Sequence, residues 1–119
     1  MLIREISEIL EATILCGEEN AGNEVLWACG SDLMSDVLAF DGGRGSALIT
    51  GLVNPQVIRT AEMMDIQCII FARGKTATPE MLEMAKERDI TLMTTTLGML
   101  SACGRLYVSG LRGDGEHLA

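Results

Sequence analysis

Four short stretches gather residues that could hold an anion: Gly30-Ser31, Thr50-Gly51 with Asn54, Arg73-Gly74-Lys75, and the threonines 94–96. Each follows an apolar run and precedes a helix-like pattern. Hydroxyl and amide side chains, exposed backbone N–H groups at helix starts and two cationic side chains are the usual means of binding phosphate or carboxylate. Ser31, Thr50, Gly51, Asn54, Arg73, Lys75 and Thr95 are therefore the candidate ligand-binding residues. The same residue types are needed simply to end strands and cap helices, so the sequence leaves open whether these junctions form a pocket or only turn corners. Asp32 and Asp36 stand near the first junction and would repel phosphate unless a cation intervened.

Other chemistries find less support. Gly74-Lys75-Thr76 imitates the end of a P-loop, but the position five residues before Gly74 is Ile69, inside an apolar run, where that loop needs glycine. Cys29 precedes an expected helix start, which would favour its thiolate. It has no neighbouring histidine as base, the sole histidine being His117, and position 35 is a serine rather than the arginine of phosphatase-like loops. Cys16, Cys29, Cys68 and Cys103 form no C-x-x-C pair, so no metal site is assigned and no cofactor is implied. The expectation is a protein that is not an enzyme; a small enzyme using Cys29 or a carboxylate pair is the remaining alternative.

These junctions need a scaffold. Residues 2–10 carry Leu2, Ile3, Ile6, Ile9 and Leu10 at helical spacing, followed by a strand at 12–16 and a polar loop at 17–23. A repeating scheme then begins. Strand 24–29 leads through Ser31, as N-cap, into a helix at 32–40 that ends in the glycine-rich loop 41–45. Strand 47–50 leads through Gly51 to Asn54-Pro55, a cap followed by proline, and a helix at 55–64, with Val53 and Ile58 spaced as a hydrophobic staple. Strand 67–72 leads to Thr78-Pro79 and a helix ending near Asp89. Strand 91–94 leads to a helix from about Leu97, capped by the threonines, and a tail at 112–119 is expected to fray. The alternation predicts a single α/β domain over residues 1–111 with a mainly parallel sheet of about five strands flanked by helices. The strand at 12–16 lies outside the rhythm and has the option of antiparallel pairing. Parallel strands share one C-terminal edge, where ligands of open α/β sheets bind, so the four junctions should converge there.

Composition narrows the partners. The net charge is −8, and only Trp27, Phe40, Phe71 and Tyr107 are aromatic, which argues against nucleic acid. No apolar run is long enough to cross a bilayer, and the acidic N-terminal segment does not read as a signal peptide, so a cytoplasmic address is expected. The cysteines read as small buried hydrophobes of a reducing compartment.

"SDLMSDVLAF", "ALITGLVNPQVIRTAEMMDIQCIIFARGK" and "CGRLYVSGL" together resemble a stand-alone DRTGG domain over roughly residues 12–110. Such domains are fused to phosphate acetyltransferases and CBS-domain pyrophosphatases, and are similar to the N-terminal domain of HPr kinase/phosphorylase. Of the Asp-Arg-Thr-Gly-Gly motif only Thr50 and Gly51 remain, between Leu48-Ile49 and Leu52. The kinase-like relatives keep their P-loop in a separate domain that these 119 residues do not contain. The resemblance implies a regulatory or dimerising module. The expected function is thus a self-associating, homodimeric domain sensing an anionic metabolite such as a nucleotide; the alternative is a ligand-free subunit docking onto a metabolic or redox enzyme.

Overall fold

A computed structural model describes residues 1–40 and 44–113. In chain order the elements are α1 (Ile3–Ile9), β1 (Thr13–Cys16), β2 (Ala28–Gly30), α2 (Met34–Leu38), β3 (Ser46–Thr50), α3 (Pro55–Met63), β4 (Ile66–Phe71), α4 (Pro79–Glu87), β5 (Thr91–Thr94) and α5 (Met99–Val108). One five-stranded sheet has the order β1-β5-β4-β3-β2. The strands β2 to β5 are parallel, and β1 pairs antiparallel with β5. The α/β class, the mainly parallel sheet and the odd orientation of the first strand agree with the sequence pattern.

The strand order decides where the helices go. β2, β3, β4 and β5 follow one another across the sheet without reversal, so crossovers of one hand must place their helices on one face. Accordingly Val37 of α2, Val57, Ile58 and Ala61 of α3 and Met81 and Ala85 of α4 share a core with Leu48, Ile69, Phe71 and Leu92. The opposite face is covered by α1 and α5, whose Ile3, Ile6, Ala102 and Leu106 pack on Ala47, Ile49, Cys68, Ile70 and Met93. Alternate residues of each central strand thus enter different cores, and β3 and β4 are buried almost throughout. Each fully buried Leu, Ile or Phe contributes about 1.5–3 kcal/mol of transfer free energy.

Local chemistry sets the helix starts. Asn54 Oδ1 accepts from Val57 N–H at 3.3 Å, and Thr78 Oγ1 accepts from Met81 N–H at 3.2 Å, each with proline at the first helical position. Val53 and Ile58 share one core cluster across the first of these caps.

Several boundaries differ from the sequence pattern. The strand expected at 24–29 is only Ala28–Gly30. Val25 instead donates its N–H to Met1 O at 2.7 Å and buries its side chain under α1, leaving Leu26 exposed. Ser31 is not an N-cap, because α2 begins at Met34 and its cap residue is Leu33. Ser31 Oγ accepts from Leu33 N–H at 3.0 Å and so closes a local turn that delays the helix. The final helix starts at Met99 with Gly98 as its cap, two residues later than the threonines suggested. Arg112, where the tail was expected to start, pairs with Trp27, and Ala28 N–H donates to Arg112 O at 2.9 Å. The remainder of that tail, with His117, and residues 41–43 of the glycine-rich loop lie outside the described residues. No helix among the described residues is long and apolar enough to cross a membrane.

Candidate functional site

Because β2 to β5 run parallel, their C-terminal ends do meet on one rim. Hydrogen bonds extend the ladders across it: Ser31 N–H to Ile49 O at 3.0 Å, Ala72 N–H to Thr50 O at 2.9 Å and Thr95 N–H to Phe71 O at 2.9 Å. The loop after β4 turns toward α4 on one face, whereas the loop after β5 turns toward α5 on the other. Divergence of adjacent loops to opposite faces opens a crevice at the rim, the place where α/β sheets hold ligands. A crevice of about 280 Å³ lies there, walled by Asp32, Gly51, Arg73 and Lys75 on one side and Gly98, Met99 and Ser101 of the α5 start on the other.

The rim residues divide by what their donors already do. Asp32 Oδ1 accepts from Gly51 N–H at 2.6 Å and from Thr50 Oγ1 at 3.2 Å, so a carboxylate of the chain occupies the donors foreseen for a ligand. Leu52 N–H is taken by Thr50 Oγ1 at 3.1 Å. Arg73 and Gly74 both adopt left-handed backbone, with φ of 62° and 72°. Their N–H groups donate to Leu97 O at 2.8 Å and Thr95 O at 2.7 Å, stitching the β4 and β5 loops together. What these turns free is the side chains: Arg73 and Lys75 are exposed, and Lys75 Nζ donates to Gly51 O at 2.7 Å.

The start of α5 is different. Gly98 supplies no side-chain cap, and the first-turn N–H groups of Met99, Leu100 and Ser101 point out of the helix by its geometry. No atom lies within 4 Å of a Cβ built on Gly98, so the approach to this terminus is open. A partial positive charge at the helix end, one guanidinium and one ammonium therefore line one crevice.

Of the seven candidate residues, Gly51, Arg73 and Lys75 line this crevice. Thr50 is fully buried behind it, reaching it only through Asp32. Asn54 is spent on capping α3 and Ser31 on its own turn. Thr95 is displaced from the site: it is 1% exposed, and its Oγ1 donates to Leu10 O at 2.8 Å, fastening the end of α1 to the end of β5. Sequence reasoning missed Gly98, Met99 and Ser101, since the threonine run drew the cap two residues too early. The seating of Asp32 on Gly51 was visible only as its proximity to the first junction.

Cys29 lies inside β2, five residues before α2, and not at a helix start. Burial pushes the Cys68 thiol up to about 12 and raises those of Cys16 and Cys103. A second cavity, about 150 Å³, lies at the β2 edge between Gly30, Ile49, Cys103, Leu106 and Tyr107, and is mostly apolar. Among the described residues no three His, Cys, Asp or Glu side chains are grouped to hold a metal.

Comparison with known proteins places this architecture. Residues 54–106 match the family model described as HPr Serine kinase N terminus. The fold is similar to the CBS and DRTGG domains of the regulatory region of Clostridium perfringens pyrophosphatase, solved in complex with its activator diadenosine tetraphosphate, at a TM-score of 0.69 and 20% identity. That similarity covers 88% of this chain and 45% of the pyrophosphatase chain, so the present chain spans less than half of its length. None of the curated proteins matches the sequence. The matched segment holds Asn54, Arg73, Lys75 and the whole first turn of α5, and so runs through one wall of the crevice and into the other. Over residues 54–106 the chain is thus similar to the HPr Serine kinase N terminus family, and its α/β fold is similar to that of the pyrophosphatase regulatory region.

Proposed function

We propose that this chain is a non-catalytic, cytoplasmic regulatory domain that self-associates and takes the phosphate groups of a nucleotide-type metabolite in the rim crevice. The observation that carries the reading is the convergence of the uncapped α5 terminus with Arg73 and Lys75. A hydrogen bond to a charged group is worth about 1.5–3 kcal/mol, and a helix terminus adds about 0.3–1 kcal/mol. The solved relative binds a diadenosine polyphosphate activator, which makes that compound the first ligand to try. Binding at this place would bridge the β4 loop and α5, elements packed on opposite faces of the sheet.

A second reading has its own support. Asp32 already satisfies Gly51, and the open part of the crevice is small. A ligand-free subunit docking onto a metabolic or redox enzyme would need no more than this. Calorimetric titration with diadenosine tetraphosphate, ATP, GTP and inorganic phosphate, with and without magnesium, separates the two. The sensing domain gives saturable binding of at least one nucleotide, weakened about tenfold or more in Arg73→Ala/Lys75→Ala, since loss of one charge-assisted bond exceeds about 1.4 kcal/mol. Absence of heat and of any thermal shift at millimolar ligand favours the docking subunit.

A further inference from the structure

Self-association, part of the function just proposed, needs a surface, and the outward side of α5 supplies one. Leu100, Gly104 and Val108 follow one another at intervals of four residues, on the side opposite the buried Ala102 and Leu106. Leu100 is 87% and Val108 88% exposed, and Tyr107 beside them is half exposed. No atom lies within 4 Å of a Cβ built on Gly104, so the middle of the stripe is flat and bare. A shallow groove follows it, lined by Ile9 of α1 with Ser101, Gly104, Arg105, Val108 and Ser109.

Charge singles out the same surface. The chain has 17 acidic residues, yet none falls between residues 90 and 113, where Arg105 and Arg112 are the charged side chains; Glu11, just past α1, borders the groove and pairs with Arg105 at 3.9 Å. Two copies of a chain carrying −8 repel one another least when they meet here.

The geometry points to a second copy of this chain as the occupant, packed α5 against antiparallel α5 about a two-fold axis at Gly104. A two-fold contact must be self-complementary, each residue meeting the one its partner offers in return. The stripe meets that condition: Leu100 and Val108 lie one turn either side of Gly104, so each Leu100 faces the partner's Val108 and the two glycines let the helices approach closely. The apolar stripe and its rim offer on the order of 500 Å² per copy, a total near 1,000 Å² that reaches the lower bound for a specific interface. Leu100 and Ser101 line the rim crevice as well as this stripe, so the second copy also forms part of the outer wall of that crevice.

Sedimentation velocity on the full chain over a range of concentrations tests this, beside Leu100→Glu, Val108→Glu and, as control, Met63→Glu on α3, where the methionine is 70% exposed. Leu100 and Val108 touch little in the monomer, so at concentrations where the wild type is monomeric their variants melt within about 0.5 kcal/mol of it. The expected result is a wild-type dimer whose dissociation constant rises about a hundredfold in either α5 variant and stays unchanged in Met63→Glu. Gly104→Cys, lying on the axis, should cross-link to its own counterpart on mild oxidation while the wild type does not. A dimer that survives Leu100→Glu, or a Gly104→Cys that does not cross-link, overturns the α5 interface but leaves self-association standing. A wild type monomeric at every concentration overturns both, and leaves ligand binding to be judged by calorimetry.

Discussion

Replacing Asp32 by asparagine should strengthen binding of a phosphate ligand, against the common expectation that altering a site residue weakens it. Asp32 Oδ1 sits 2.6 Å from Gly51 N, and the point where a Gly51 side chain would begin lies 3.4 Å from that oxygen and 3.7 Å from Lys75 Nζ. A phosphate paired with Lys75 would therefore stand about 6 Å from the carboxylate, where the repulsion per ligand charge is about 0.7 kcal/mol at the dielectric of water and about twice that at half the dielectric. For a dianionic phosphate the sum is about 1.5–3 kcal/mol, so Asp32→Asn should tighten binding roughly tenfold or more at low salt. The asparagine oxygen can still accept from Gly51 N–H, which keeps the fold. The gain should shrink toward twofold near 0.5 M salt, because the crevice is open and the screening length falls to about 4 Å. Titration calorimetry of the variant against ATP at two salt concentrations is the assay. Unchanged or weaker binding, with an unaltered melting curve, refutes the placement of the ligand beside Asp32 and Lys75.

Three further outcomes follow from the same geometry. Gly98→Asp should place a capping carboxylate on α5, raising stability by a few tenths of a kcal/mol while cutting phosphate affinity about tenfold, since cap and ligand need the same N–H groups; a thermal melt and a titration on one sample read both. Thr95→Val should lower unfolding free energy by about 1–3 kcal/mol in urea denaturation, because the Leu10 carbonyl loses its buried donor and Leu97 N–H its acceptor. Alkaline pH should destabilise the fold. Cys68 is raised to about 12 in the folded chain, so the unfolded thiol ionises first and stability, full below about pH 8.5, falls as pH rises toward 12, by at most about 1.4 kcal/mol per unit for this group. Cys68→Ala should flatten that part of the curve.

What the sequence disclosed and what it hid have physical causes. The helices after Asn54-Pro55 and Thr78-Pro79 were legible because polar cap and proline act locally, within one turn. Strands β3, β4 and β5 were legible because short apolar runs between glycines and caps have few other destinations. The segment 24–29 misled because Val25 and Trp27 look like strand residues, yet Val25 bonds to Met1 and Trp27 to Arg112, partners set by the tertiary fold. The convergence of junctions on one rim followed from parallel pairing alone. Which donors stay available at that rim did not: it depends on Asp32 reaching Gly51 across 19 residues and on the stitching of Arg73 and Gly74 to the β5 loop. Thr95 shows the limit well, since its hydroxyl turns inward to a carbonyl 85 residues away.

The most direct test of the account is the map of backbone amide shifts in a two-dimensional NMR titration with diadenosine tetraphosphate or ATP. The anion-binding rim predicts that Gly51, Arg73, Gly74, Lys75 and Met99 to Ser101 move together and saturate with one dissociation constant. Shifts confined to the β2 edge around Cys29, Tyr107 and Arg112, or none at millimolar nucleotide, would contradict it.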